Sequence, residues 1–461
     1  MAPPVARLLR MSGTTVSSGA VETASPMTPV RSTGGIFTRG NHRRCMDDSG
    51  FTSITRLADA RAHLSGVCSP HTRTERRPPE AAVDRVLADG VRARRPVPHY
   101  DRVAVDGYAV RARDTFDATG RSPVRLEQGE TPTEEEVAVP VDAGSPVPED
   151  TDAVVTVEQT ERRDGAVLVY DAVADGENVT VTGRDVVASQ QLFDAGDRLR
   201  PSDAALLRAT GRDSVPVREP PQVAVVPTGE ELVAPGEEPE PGAVVETDGP
   251  LVASLVTRWG GTPTLRDTVV DDGETPGAAV EAGTGHDIVV TTGGSSVGDR
   301  NPLPAVVSDI GEMVVHGVGI EPGHSAGFGV VAGTPVVLLP GSPVSCLVAA
   351  AQLLRPALAW LAGTEPRPFP SVRATLSQKL PSAPGERSFT RARLDEQSTG
   401  DTVAIPVRTS GTGATPSVAL ADGWVEIPEQ REGVPAGETV TIQQWEQLVP
   451  TVEQTGRVPR D

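Results

Sequence analysis

DIVVTTGGSSVGDRN, residues 287–301, opens on the β-branched run Ile288-Val289-Val290, passes through Thr291-Thr292 and reaches Gly293-Gly294. The apolar run reads as a buried strand, and the glycine pair as a loop too tight for other residues. Such a loop lets successive backbone N–H groups converge on an anion. A similar junction follows at residues 336–346, VVLLPGSPVSC. Two strand-to-glycine junctions close in sequence point to an α/β domain with an oxyanion- or phosphate-binding edge.

Working outward, residues 222–363 alternate strands and helices. The expected strands are Val223-Ala224-Val225-Val226, Ile288-Val289-Val290 and Val336-Val337-Leu338-Leu339. The expected helices are Pro250 to Trp259, Pro276 to Ala282 and Val344 to Leu361. This alternation is the pattern of a mostly parallel sheet covered by helices. After Pro366 short strands return at Ser371 to Leu376, Phe389 to Leu394, Val403 to Val407 and Thr439 to Ile442, expected to close a small barrel or sandwich. Upstream, residues 92–182 carry short alternating runs between Gly and Pro, a β-rich domain with a charged loop at Gly129 to Glu136. Residues 54–90 look helical, with a helix expected over Ala81 to Ala88 and stopped by Gly90. No solenoid repeat is visible.

The 461-residue chain carries a formal net charge of -21, and Lys379 is its single lysine. A carboxylate-rich surface of this kind suits a salty cytoplasm, and a high-GC genome would favour arginine in the same way. The acidity argues against nucleic acid or an anionic membrane as partner. Cys45, Cys68 and Cys346 form neither a disulfide framework nor a metal-ligand spacing. No apolar run is read as reaching the roughly 20 residues of a membrane span, so a reducing cytoplasm is expected. Residues 1–45 are the exception to the acidity, rich in Arg and Ser with Glu22 as the sole acid. That leader reads as a disordered tail, an upstream start or a transit segment, with Met46 as a natural beginning.

Four glycine-bearing junctions adjoin strands: Pro227-Thr228-Gly229, Thr292-Gly293-Gly294-Ser295, Pro322-Gly323-His324 and Pro340-Gly341-Ser342-Pro343. In an open α/β sheet they gather where ligands bind, and a helix beginning near Val344 adds positive partial charge. Carboxylates stand at loop edges as well: Asp106, Asp185, Glu230, Glu231, Asp271 and Asp272. Hard cations such as magnesium take oxygen ligands and bridge to phosphates. Any one of these acids has an ordinary reading as solvated surface. His324 reads as a phosphate contact or a plain surface histidine. Cys346, just inside a helix, reads as a buried structural thiol.

The order of motifs resembles the molybdopterin molybdenumtransferase family, which includes MoeA and the gephyrin E-domain. The resemblance rests on PHYDRVAVDGYAV from Pro98, GSPVPEDTDAVVTVE from Gly144, GRDV from Gly183 and PTGEELV from Pro227. It continues through DIVVTTGGSSVG from Asp287, EPGHSAGFG from Glu321 and LPGSPVS from Leu339. It implies a multidomain α/β protein: a helical linker (46–91 plus 183–221), a β-rich lever (92–182), a three-layer α/β molybdopterin-binding domain (222–363) and a C-terminal β-barrel-like domain (364–449). It further implies a cytoplasmic homodimer of a divergent, haloarchaeal-type member. Such an enzyme uses Mg²⁺, adenylylated molybdopterin and molybdate, and releases AMP. A molybdopterin adenylyltransferase-type protein would act upstream.

Carried over position by position, the resemblance implies catalytic roles for Asp106, Asp185, Glu231 and Asp271, with Glu231 and Asp271 holding the metal. Thr292, Gly293, Gly294, Ser295, Pro322, Gly323, His324, Pro340, Gly341, Ser342, Pro343 and Ser410 would bind the pterin substrate, with Arg391 reaching toward the same cleft. Against the family pattern, lysine positions are Gly317, Glu321 and His324, an aspartate position is Asn301, a threonine position is Ala143 and an asparagine position is Ser342. Loss of cations at an anion contact is costly. The sequence therefore also admits a non-catalytic paralogue that binds pterin or partner proteins.

Overall fold

The computed structural model describes residues 54–130, 136–270, 275–296, 303–398, 400–407 and 415–446. Asp271, Asn301 and Ser410, like the basic leader, lie outside the described residues.

The centre of the molecule is a six-stranded sheet in the order Thr262–Leu265, Gln222–Pro227, Ile288–Thr292, Thr334–Leu339, Gly327–Val331, Glu312–His316. Its first four strands are parallel. Gly327–Val331 runs antiparallel to both of its neighbours, so the sheet is mixed at that edge. The two glycines of the GFGVV run interrupt its strand pattern, which hid it from pattern reading. Every residue of Ile288–Thr292 and Thr334–Leu339 is buried, as continuous apolar strands covered on both faces must be. Alternation then divides the side chains. Val223, Val225, Ile288, Val290, Val337 and Leu339 pack on one face, and Ala224, Val226, Val289, Val336 and Leu338 on the other. Helices Asp248–Arg258 and the Pro343–Leu361 segment cover the first face, and Thr275–Gly283 and Leu303–Ile310 the second. The result is three layers.

The Pro343–Leu361 segment is 19 residues long and apolar enough to span a membrane, which corrects the reading that no such run exists. It is instead the core helix of the first face, with 83% of its apolar window buried. Its middle turn, Ala350–Leu354, widens to a π-helix just before Pro356. Proline has no N–H to give to the carbonyl four residues back. That carbonyl, Gln352 O, accepts instead from Arg61 Nε at 2.9 Å. Arg61 belongs to the helix Leu57–Val67, whose Leu57, Ala60 and Leu64 join the same core. The first helix therefore packs on the α/β layer rather than within a helical linker.

The linker has its own small core of Ala82, Leu87, Val91, Leu199, Leu207, Val215 and Val217. Thr74–Arg77 pairs there with Val215–Arg218, and Val91–Arg92 with Gln191–Phe193. The helix expected over Ala81 to Ala88 is absent. A 3-10 turn occupies Pro79–Ala82, Asp84 takes φ of +63°, and Val86 and Leu87 bridge in extended form to Arg198 and Val217. Extension sends Leu87 into the linker core and leaves its neighbour Val86 buried on the other side of the chain. The lever is a six-stranded sheet ordered Ala153–Thr156, Gly107–Val110, Val137–Val141, Val124–Gln128, Ala166–Val169, Thr160–Arg163.

In the C-terminal part, Arg387–Glu396, Thr402–Pro406, Ser371–Leu376, Thr439–Gln443 and Gly423–Ile427 follow one another, and the last pairs back to the first. This closes a five-stranded barrel with no free edge among them. Trp424, fully buried, stacks on Trp445 with ring centroids 4.6 Å apart. Ile320–Glu321 adds in parallel to Arg387–Ser388, tying the barrel to the central domain.

Candidate functional site

At the carboxyl ends of the parallel strands the glycine loops meet. Gly293 has φ of +92° and Gly294 of +62°, a conformation that glycine adopts without strain. A Cβ on Gly293 would stand 2.2 Å from Thr228 O. Thr228 donates its N–H to Thr292 O at 2.8 Å, and Gly293 donates to Leu339 O at 3.0 Å. A Cβ on Gly341 would come within 3.0 Å of Gly293 Cα. Loops far apart in sequence are thus locked backbone to backbone, and a side chain at the glycines would force them apart.

Beside this junction lies a cavity of about 260 Å³, lined by Thr228, Glu231, Leu232, Val244, Val245, Glu246, Thr247, Asp248, Thr292, Gly341, Ser342 and Pro343. Ser342 is the N-cap of the helix beginning at Pro343, and Cys346 N–H donates to Ser342 O at 2.8 Å. The helix brings positive partial charge to the cavity wall. Glu231 arrives on a ribbon in which Leu232–Val233 pairs with Val244–Val245. Its carboxylate folds back over Gly229, 2.8 Å from where a Cβ would stand.

The same ribbon runs into Glu246-Thr247-Asp248, at the start of the Asp248–Arg258 helix. Glu246 is buried, and its Oε1 accepts from Gly249 N–H at 2.7 Å, satisfying one of the helix's free donors. Asp248 is buried beside it, and its Oδ1 has no hydrogen-bond partner. Burial, then the neighbouring Glu246, pushes the Asp248 carboxyl up to about 7. A helix N-terminus would lower it, but desolvation and a like charge win here. Gly249 lets the helix approach so closely, since a Cβ there would meet Pro227 Cγ at 2.8 Å. Sequence reading missed Glu246 and Asp248. Their signal was present in VETDGP, residues 245–250, where paired acids precede a helix.

The other expected residues divide. Thr292, Gly293, Gly294, Pro340, Gly341, Ser342 and Pro343 gather at the strand ends with Glu231. Ser295 continues the loop, its Oγ 3.3 Å from Ser325 Oγ and its carbonyl 2.9 Å from His316 Nε2. Pro322, Gly323 and His324 do not line the cavity. Gly323, at φ of +124°, packs by Ser345 of the adjoining helix. His324 Nδ1 lies 3.6 Å from Glu321 Oε2, so two of the three residues at the expected lysine positions face each other. Arg391 comes from the barrel toward Glu321. Burial lowers its pKa, and Glu321 opposes that shift.

Asp106 and Asp185 do not line the cavity either. Asp106 is exposed next to the lever sheet, where Oδ1 accepts from Ala143 N–H at 2.7 Å. Asp185 is exposed between lever and linker, its N–H bonded to Val97 O at 3.0 Å. Cys346 is fully buried, and burial, then Asp248 and Glu246, raises its thiol, in line with a structural role. Among the described residues no group of three or more His, Cys, Asp or Glu forms a metal cluster.

Comparison with known proteins gives three consecutive family matches: the MoeA N-terminal region (domain I and II) over residues 55–211, a probable molybdopterin binding domain over 224–360, and the MoeA C-terminal region (domain IV) over 373–445. Molybdopterin molybdenumtransferase 2 of Mycobacterium tuberculosis is 33% identical over 411 residues, covering 84% of this chain and 97% of that protein. The molybdopterin molybdenumtransferase of Bacillus subtilis is 31% identical over 379 residues, covering 79% and 88%. The crystal structure of the molybdopterin biosynthesis MoeA protein from Pyrococcus horikosii superposes with a TM-score of 0.72 at 33% identity, covering 86% of this chain and all of that one.

Proposed function

Because this chain belongs to the MoeA family of molybdopterin molybdenumtransferases, we propose that it inserts molybdate into adenylylated molybdopterin with release of AMP, in a Mg²⁺-dependent reaction. The observation that carries this reading is the meeting of the Thr228, Gly293 and Gly341 loops beside a cavity bearing Glu231, Glu246 and Asp248. Backbone N–H groups and the Pro343 helix start would hold phosphate. The carboxylates would hold the metal and orient water.

The donor set fits magnesium. Mg²⁺ prefers oxygen ligands and is usually bound by one or two carboxylates plus substrate phosphates. Asp248 Oδ1, buried and without a partner, is the kind of atom such a cation would satisfy. Asp248, with Glu246 beside it, would hold the ion together with substrate phosphate, and Glu231 lines the same cavity. The bound ion would neutralise phosphate charge near the bond to be cleaved. Gly249 N–H, donating to Glu246 Oε1 at 2.7 Å, would orient the Glu246 carboxylate in the site.

Asp106 and Asp185 do not reach this cavity within one chain. In our reading they act in a homodimer, where the lever of one copy faces the α/β domain of the other. The substrate would come from a molybdopterin adenylyltransferase-type protein.

The test is incubation of the purified protein with adenylylated molybdopterin, Mg²⁺ and molybdate, with AMP measured by chromatography. AMP release that needs both molybdate and Mg²⁺ is expected. Pterin that stays bound with no AMP released would sink the enzyme reading. It would favour the second one, a pterin-binding paralogue without catalysis, which the Glu321–His324 pair at the lysine positions supports.

A further inference from the structure

At the opposite end of the same parallel strands lies a second cavity, of about 560 Å³. Its wall includes Pro221, just before the strand Gln222–Pro227, and Gly261, just before Thr262–Leu265. It therefore sits at the amino-terminal edge of the sheet, away from the Gly293 loop. Arg198, Arg218, Arg355 and Arg367 all line it.

The chain has a net charge of -21, so carboxylate partners are abundant. Yet none of these four arginines forms a salt bridge among the described residues. They donate to main-chain carbonyls instead: Arg198 to Asp84 O at 2.5 Å, Arg218 to His71 O at 2.6 Å, Arg355 to Arg367 O at 2.5 Å and Arg367 to Arg198 O at 3.4 Å. A guanidinium has several further donors, and Arg218 Nε is buried with no partner. The charges also oppose one another. Burial, then Arg367, lowers the pKa of Arg198, and burial, then Arg61 and Arg198, brings Arg355 down to about 10. The acids on the same wall only partly compensate: Glu219 is paired with Arg73, Glu365 is exposed and in no salt bridge among the described residues, and Asp84 offers Arg198 its main-chain oxygen while its carboxylate acts through charge without forming a salt bridge.

We propose that this cavity is a binding site for a phosphate chain, a di- or triphosphate-bearing anion, separate from the carboxylate-lined site. Planar guanidinium forks match phosphate oxygens two at a time, and several forks around one volume need a ligand with several charged groups. The cavity lies in the size range of small-molecule sites. Arg355 is already fixed, with its guanidinium 3.9 Å from the Phe369 ring centroid, so little ordering remains to be done on binding.

The test is calorimetric titration of the full chain with sodium pyrophosphate and, separately, ADP, at low ionic strength and constant chloride. Saturable binding is expected, weakened about tenfold or more in Arg198→Gln and in Arg367→Gln. Arg367 is exposed at the rim, so its variant folds even if Arg198→Gln does not. Arg208→Gln, which removes an exposed arginine paired with Glu80, should bind as the unmodified chain does. Tighter binding of ADP than of pyrophosphate would identify a nucleotide as the source, and the reverse a free polyphosphate. No saturable binding, unchanged affinity in Arg367→Gln, or equal displacement by chloride would each overturn the proposal.

Discussion

The two ends of one parallel sheet have opposite chemistry. At the carboxyl end, glycine loops press together and leave a cavity walled by Glu231, Glu246 and Asp248. At the amino end, arginines surround a cavity with too few carboxylates to pair them. The difference follows partly from the fold. Helix N-termini and loop N–H groups already supply positive potential at the carboxyl end, where Glu246 accepts from Gly249 N–H while Asp248 stays unpartnered with a raised pKa. The amino end has no such source beyond its side chains, and an anion site there must be built from guanidinium groups.

The harshest way to break the first end is Gly293→Val. Its Cβ would meet Thr228 O at 2.2 Å, at a φ of +92°. We expect AMP release to fall about 100-fold or more, because the loops that position the substrate separate. A urea melt should show a loss of about 3 kcal/mol or more. Retention of both would mean that the loop junction is not the site.

Asp248→Asn probes the carboxylate wall by pH. The folded carboxyl titrates near 7 against an ordinary value of 3.8. Its contribution to stability is fully present below 3.8 and is lost as pH rises toward 7, because the unfolded chain ionises first. The variant should therefore be the more stable protein at pH 8 in EDTA, by on the order of 2–4 kcal/mol, and no more stable near pH 4. Added Mg²⁺ at pH 8 should raise the melting temperature of the unmodified protein and narrow that gap. Equal melting curves across pH would remove Asp248 as a buried acid.

Asp287, at the amino end of the central strand, shows the reverse sign. Burial would raise its pKa, but the paired Arg73 and the Gln222 N–H outweigh that and hold it low. Its stabilisation is present above the ordinary carboxylate pKa and is lost as pH falls through the depressed value. Asp287→Ala should cost about 2 kcal/mol at pH 7 and progressively less in acid, as read by chemical denaturation. A pH-independent cost would show that packing, not charge, is what the variant removes.

The smallest expected effect is at the loop lying off the cavity. His324 and Glu321 are both about half exposed, so solvent screens their interaction. His324→Lys should tighten molybdate binding by only about twofold to fivefold, as measured by calorimetry. No change at all would place that loop outside the anion's reach.

Much of this was legible in the sequence, for local reasons. Ile288-Val289-Val290 and Val336 to Leu339 read as buried strands because continuous β-branched and apolar runs fit a sheet covered on both faces. Gly293 and Gly341 read as site residues because a close approach of backbones excludes a Cβ. Glu246 and Asp248 were hidden because an acid in a chain this acidic looks like surface, and only packing shows it buried. The helix expected over Ala81 to Ala88 failed because Val86 and Leu87 bridge in extended form to Arg198 and Val217, distant in sequence, and Leu87 joins the linker core.

By itself the sequence determined the order of the parts, the strand-to-glycine junctions and the family, since these rest on short-range pattern. Tertiary structure alone decided which carboxylates share a cavity, where the first helix packs and which arginines stand together without acids. Those depend on contacts between residues more than a hundred positions apart, as between Arg198 and Asp84 or Arg61 and Gln352, and on the desolvation that only a folded interior imposes.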